Sequence, residues 1–171
     1  MSQPASGPPL GVGPLAESIG YTLKQASSAL RTAMGVALKS SALTVSQYSC
    51  LEQLGQNPGL SNAELARGLF VSRQSTNVVL RGLQERELLT RPVAVEHGRA
   101  RPTELTPAGA ALLRRASAAV RQVEDRMVAA LDADDRTRLL QNLLTCARTV
   151  AGPATDLHPV VEPEPGRLAA Y

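Results

Sequence analysis

The sequence predicts a mainly α-helical (α+β) fold in which four helices are followed by a short β-hairpin and then by two further helices. Three observations carry this expectation. Of the 171 residues 43% are hydrophobic but only 2% aromatic, so the core must be built from Leu, Val and Ala, a mixture that favours helix over sheet. Two short segments that each begin on a capping serine, Ser61 and Ser72, form a helix-turn-helix pattern. Directly after them, Pro92 and Pro102 confine the next stretch to a short, exposed ribbon, because neither can donate to a central ladder.

One folding unit is expected at this length, flanked by proline- and glycine-rich tails at residues 1–14 and 151–171. From residue 15 to about residue 38, Ile19, Leu23, Ala26, Leu30, Ala33 and Ala37 recur every three or four positions and predict a long amphipathic helix. Thr44 caps a second helix, Gln47 returns the capping-box bond, and Leu43 is placed to staple to Tyr48. That helix is expected to reach about Gly55 and to stop at Asn57-Pro58-Gly59. Ser61 with Glu64 opens a third, short helix with Leu65, Ala66 and Leu69 inward. Phe70-Val71 turns the chain, and a fourth helix runs from the Ser72 cap to about Leu88 with Val79 and Leu83 on its buried side. Residues 90–95, the Glu96-His97-Gly98 turn and residues 99–105 read as the hairpin. Thr106-Pro107 starts the fifth helix, along which Leu113, Ala116, Val120, Val123 and Met127 repeat. Asp132 or Asp134 restarts a sixth, carrying Leu140, Leu143, Ala147 and Val150. A small winged domain does not cover the apolar stripes of the first, fifth and sixth helices, which predicts a homodimer.

The net charge of +3 says little, but its distribution says more: residues 72–101 hold six arginines against three glutamates. With Val79 and Leu83 inward, the opposite face of the fourth helix presents Gln74, Asn77, Val78, Arg81 and Glu85. Asn and Gln suit bidentate contact with adenine, Arg suits guanine or phosphate, and an exposed Val packs on a thymine methyl. Arg73 at the helix start is placed for a backbone phosphate, with Ser72 and Ser75 beside it. Arg99 and Arg101 near the hairpin tip add the basic wing that minor-groove or phosphate contact requires. The expected partner is double-stranded DNA.

At these residues the sequence resembles the MarR family, over about residues 15–150. The resemblance is carried by Leu43-Thr44-Val45-Ser46-Gln47-Tyr48, Leu60-Ser61-Asn62-Ala63-Glu64-Leu65-Ala66, Val71-Ser72-Arg73-Gln74-Ser75 and Leu80-Arg81-Gly82-Leu83-Gln84-Glu85-Arg86. Gly98-Arg99-Ala100 and Leu105-Thr106-Pro107-Ala108-Gly109 continue it. It implies a winged helix-turn-helix at about residues 44–105 with N- and C-terminal dimerisation helices at about 15–40 and 106–150. It further implies a transcriptional regulator, in most cases a repressor, that binds a pseudo-palindrome as a homodimer and is released by a small-molecule effector in a cleft between the two regions. Three positions depart from the family's usual pattern. His97 stands where an acidic residue braces the wing arginine, Val78 where many members carry arginine, and Glu87 where a glycine ends the recognition helix.

No nucleophile elbow, phosphate-binding glycine loop or zinc-hydrolase pattern is present, so no enzyme and no cofactor are expected. His97 and His158 form no close-spaced ligand set, so no metal site is expected. Cys50 and Cys146 are too few for a disulfide framework and read as small packing residues; Tyr21 and Tyr48 read as core residues, or as cleft-lining ones by what the family resemblance alone implies. No apolar run approaches the ~20 residues that span a bilayer, and residues 1–14 lack a secretory signal, so no membrane contact and a cytoplasmic location are expected. No residue of an effector site can be named from sequence. A competing reading, a winged-helix dimer that docks proteins and no longer binds DNA, is disfavoured by the polar face of Gln74, Asn77, Arg81 and Arg99, where apolar or aromatic anchors would be needed.

Overall fold

A computed structural model describes residues 13–90 and 103–151. A short 3-10 turn (Leu15–Glu17) leads into α1 (Ile19–Ala37), which continues as a second 3-10 turn (Leu38–Ser41). There follow α2 (Val45–Gln56), α3 (Asn62–Gly68), α4 (Arg73–Glu85), the two-residue strands β1 (Leu89–Thr90) and β2 (Glu104–Leu105), α5 (Pro107–Met127) and α6 (Ala133–Ala151).

The starts of these helices follow from local chemistry. Thr44 Oγ1 accepts from the Gln47 amide at 3.1 Å while Gln47 Oε1 accepts from the Thr44 amide at 3.0 Å, so the expected capping box is complete. Ser61 and Glu64 form a second one. Ser72 caps α4 through the Ser75 amide, and Thr106 caps α5 through the Gly109 amide. Of the two aspartates offered for α6, Asp132 is the cap, its Oδ1 accepting from the Asp135 amide at 2.8 Å. The first helix starts later than its periodicity suggests, because Ser18 caps it and residues 15–17 wind as a separate turn.

The ends carry a less legible device. Ala42, Phe70 and Glu87 all adopt positive φ, 49°, 54° and 55°, although none is glycine. Each closes its helical segment with the same pair of reversed bonds, for Glu87 a bond from its own amide to the Gln84 carbonyl and one from the Leu88 amide to Leu83. The fourth helix therefore stops at Glu85, three residues short of the expected Leu88, and buried Leu83 and Leu88 sit on either side of the turn. Glu87 keeps a left-handed backbone at the position where the family's glycine is common, so the exit from the helix retains the conformation that glycine adopts at least cost.

Leu38, Leu51, Leu54, Leu65, Leu80 and Leu83 are fully buried and join α1's end, α2, α3 and α4 into one core, with Leu43 and Tyr48 buried in the same cluster. Along α4 the buried set is Thr76, Leu80 and Leu83, and Val79 lies at the margin, so the inner face is rotated slightly from the expected Val79–Leu83 line. The fifth helix also departs from expectation. Its stripe of Leu112, Ala116, Val120 and Val123 is buried within one protomer because α5 packs against both α1 and α2; Leu113 is only partly covered and Met127 is exposed. In contrast, α1 and α6 bury no residue at all.

Leu89 pairs with Leu105 and Thr90 with Glu104 in an antiparallel register that forms the base of the expected hairpin. The rest of that hairpin, with His97, Arg99 and Arg101, lies outside the described residues, as do His158 and the two tails. The base is tied down from two sides. The Gly59 amide, in a turn at φ 86°, donates to the Thr103 carbonyl at 3.2 Å, and the Thr106 amide donates to the Leu88 carbonyl at 3.1 Å. Among the described residues no helix is long and apolar enough to cross a membrane.

Candidate nucleic-acid interface

The α3–α4 pair presents one continuous polar surface. Arg73, Gln74, Asn77, Arg81 and Glu85 are all exposed on α4, and Val78 among them is 68% exposed. These spacings of three and four put them on a single face of a helix whose other side is anchored by Thr76, Leu80 and Leu83. Ser72 Oγ caps the helix N-terminus by accepting from the Ser75 amide and lies 2.9 Å from Ser75 Oγ, at an end where unsatisfied backbone N–H groups favour a negative ligand. Of the nine residues selected from sequence, seven are brought onto α4 and its cap, and Arg99 and Arg101 fall outside the described residues.

Two residues that sequence reasoning did not select shape this surface. Asn62, the first residue of α3, donates from Nδ2 to Asn77 Oδ1 at 2.8 Å, so Asn77 is already held from the neighbouring helix. Arg86 Nη1 donates to the Ala42 carbonyl at 2.8 Å, fastening the end of α4 to the turn after α1. Neither contact has a local signal, since the partners are 15 and 44 positions apart.

Behind α4 lies a cavity of about 100 Å³. Val45, Leu69, Val71 and Val79 give it apolar walls, Ser46, Ser49, Ser75 and Thr76 line it with hydroxyls, and Arg31 of α1 is the one cation lining it among the described residues. It touches α1, α2, the α3–α4 turn and the inner side of α4 together.

On the far side of α2 the charges are acidic. Ser117 Oγ donates to Glu52 Oε2, and Gln56 Nε2 donates to Glu52 Oε1, both at 2.8 Å. Burial pushes the Tyr48 phenol up to about 12, with the Ser117 hydrogen bond opposing it and Glu52 adding to it. Burial also raises the Glu124 carboxyl, helped by the charges of Glu52 and Asp125 and opposed by Arg121. Cys50 is buried in the core as expected, whereas Cys146 and Tyr21 are exposed in the protomer, because α6 and the start of α1 pack on nothing that would cover them.

Residues 43–100 match the model of the MarR family. The HTH-type transcriptional repressor Rv2887 of Mycobacterium tuberculosis is 41% identical over 128 residues, covering 73% of this chain and 92% of the relative. The chain belongs to the MarR family. Among solved structures of MarR-type proteins, that of Rv2887 in complex with salicylic acid matches at 38% identity and a TM-score of 0.63, over 77% of this chain and 98% of the other. The transcriptional repressor CouR bound to a 23-mer DNA duplex matches at 34% identity and a TM-score of 0.73, over 82% of this chain and 100% of the other. The MarR-type winged helix-turn-helix is thus the fold of this chain, with α3 and α4 as its helix-turn-helix and β1–β2 as the base of its wing.

Proposed function

We propose that this chain is a sequence-specific DNA-binding transcriptional regulator, acting as a repressor in the cytoplasm, that binds a pseudo-palindromic operator as a homodimer and is released by a small-molecule effector. The observation that carries the reading is the mostly polar, exposed face of α4 set on a helix pair in which each helix is capped by a serine. Gln74, Asn77, Val78 and Arg81 contact base edges, and Ser72, Arg73 and Ser75 contact phosphates at the helix start. Arg99 and Arg101 contact backbone or minor groove from the wing. The relatives support this reading: a repressor by name is 41% identical, and the structure of CouR was solved bound to a 23-mer DNA duplex. The second copy is called for by α1 and α6, whose Ile19, Leu23, Leu139, Leu140, Leu143 and Val150 are exposed in the protomer. The residues 15–40 and 106–150 serve as the dimerisation part and 44–105 as the DNA-binding part.

The lining of the cavity behind α4 has the chemistry of an effector site. Apolar walls, four hydroxyls and one arginine complement a small aromatic acid, for which the cavity of about 100 Å³ has to widen, and the relative Rv2887 was crystallised with salicylic acid. Because Ser75 and Thr76 belong to the reading helix, an occupant acts directly on that helix's seat. Release requires the occupant to bind the DNA-incompetent arrangement more tightly, by ~1.4 kcal/mol for each tenfold loss of DNA affinity.

The test is selection of bound duplexes from a random pool, followed by footprinting. Two half-sites are expected, ~10 base pairs apart centre to centre. Arg81→Ala should cost roughly 1–3 kcal/mol on the selected site and less on random DNA. Arg99→Ala should weaken both by similar factors and lower the salt dependence by about one counterion per half-site. Failure to enrich any sequence, with no salt-sensitive retention on heparin, would overturn the reading in favour of a protein-docking module.

A further inference from the structure

Among the described residues, the amide of Asn77 is the one proposed base-reading group on α4 with a side-chain partner, and that partner sets what it can read. Asn62 Nδ2 lies 2.8 Å from Asn77 Oδ1 and 3.5 Å from the carbonyl oxygen of Arg73. A backbone carbonyl only accepts, so the Arg73 oxygen requires the nitrogen of Asn62 on that side. The same nitrogen then supplies the donor that faces Asn77, which requires the oxygen of Asn77 to turn inward. Turning the Asn62 amide over would bring its oxygen against the Arg73 carbonyl oxygen, two acceptors with no hydrogen between them.

An exposed Asn77 with its oxygen held towards α3 leaves its Nδ2 hydrogens for the outside. Adenine is read in the major groove by an amide that gives a hydrogen to N7 and takes one from N6, which needs both polar atoms facing the base together. A donor-only amide fits an edge that only accepts, and guanine presents two such atoms, N7 and O6. We propose that Asn62 is a specificity-setting positioning residue: by holding Asn77 Oδ1 it makes Asn77 read guanine, where a freely turning asparagine at this position would read adenine. The proposal rests on the DNA-binding reading above. It differs from the sequence-based expectation, in which Asn77 contacts adenine bidentately.

Asn62 follows the Ser61 cap and is half-buried, so Asn62→Ala leaves the capping box intact. Selection from a random duplex pool would be run in parallel with the wild-type protein, Asn77→Ala and Asn62→Ala. Asn77→Ala identifies the base pair that Asn77 reads, as the position whose preference it flattens. At that position the wild type should favour guanine over adenine by about fivefold or more, and Asn62→Ala should move the preference towards adenine by a similar factor. Replacing that guanine by 7-deazaguanine should weaken the wild type about tenfold and leave Asn77→Ala unaffected. Adenine preferred by the wild type, a preference unchanged in Asn62→Ala, or no position flattened by Asn77→Ala would each overturn the proposal while leaving the DNA-binding reading standing. A second measurement needs no DNA. In NMR spectra of the free protein the Asn62 side-chain amide hydrogens should be slowed in exchange, and Asn77→Leu should abolish that protection. Its absence in the wild type would remove the pair itself, whereas a pool that yields no enriched sequence would instead bring down the DNA-binding reading.

Discussion

The segment from α2 to α4 and the pair α1 and α6 are made from the same residues, Leu, Val and Ala, yet they reach opposite states in one protomer. In the first, leucines from three short helices are fully buried, and each helix starts on a side-chain cap. In the second, two helices of 19 residues each hold no fully buried residue, although Met34 of α1 packs partly covered against the core, and Ile19 is 79% exposed. Short helices cannot stand alone, so the first region must complete its core locally to hold α4 in place. Long helices hold their own shape and can reserve an apolar face for a second copy. The difference separates what one chain completes from what it leaves to a second: the protomer by itself holds α4 in place, and under the proposed function the spacing of half-sites is left to the interface.

The comparison is broken most directly at α6. Replacing Leu140 and Leu143 by glutamate should raise the dimer dissociation constant about a thousandfold, roughly 4 kcal/mol, with little change in the far-ultraviolet circular dichroism of the protomer. Sedimentation equilibrium measures it, and an unchanged dimer would show that these leucines are not the interface.

Next in size is the joint between the two regions. A methyl group at Gly109 would overlap the Leu88 carbonyl oxygen, because α5 starts against the turn that ends the reading helix. Gly109→Ala should therefore destabilise the fold by about 2–3 kcal/mol in urea titrations, since backbone and not a flexible side chain must give way. A loss well below 1 kcal/mol would mean that this joint is looser than its contacts indicate.

The caps come third. Thr44→Ala and Ser61→Ala should each cost ~1 kcal/mol, nearly additively because they serve different helices. Denaturant midpoints of the two single variants and the double variant would check both statements. Glu87→Gly should act in the other direction, adding a few tenths to ~1 kcal/mol, as relief of the left-handed backbone at 55° outweighs the extra chain entropy of glycine.

The smallest effect sharpens the seam between α2 and α5. Burial and the nearby Glu52 raise the Glu124 carboxyl, so the folded state binds its proton more tightly than the unfolded chain does. The sign follows: the folded state is relatively favoured at acid pH, and that advantage is lost as pH rises through the raised value. Glu124→Gln should thus stabilise the protein more at pH 7 than at pH 5, as read from the difference in Tm. An equal difference at both pH values would place Glu124 in ordinary solvation.

Much of the architecture could be read before any coordinates. Thr44 with Gln47, Ser61 with Glu64, Ser72 and Thr106-Pro107 are local signals, fulfilled within three residues of each cap. The exposed face of α4 was legible for the same reason, because helical periodicity alone separates Gln74, Asn77, Val78 and Arg81 from Leu80 and Leu83. The end of α4 was not, because Glu87 carries no mark of a left-handed residue and takes that conformation only where buried Leu83 and Leu88 close the turn.

By itself, then, the sequence determined where helices begin, which of their faces are apolar, and which side chains stand outward on the reading helix, since each depends on neighbours three or four positions away. Only the tertiary structure decided that α5 covers its own stripe within the protomer, that Arg31 of α1 reaches the cavity behind α4, and that the amides of Asn62 and Asn77 meet. Those contacts join residues far apart in the chain, and their geometry is set by how the helices cross, which no periodicity or cap encodes.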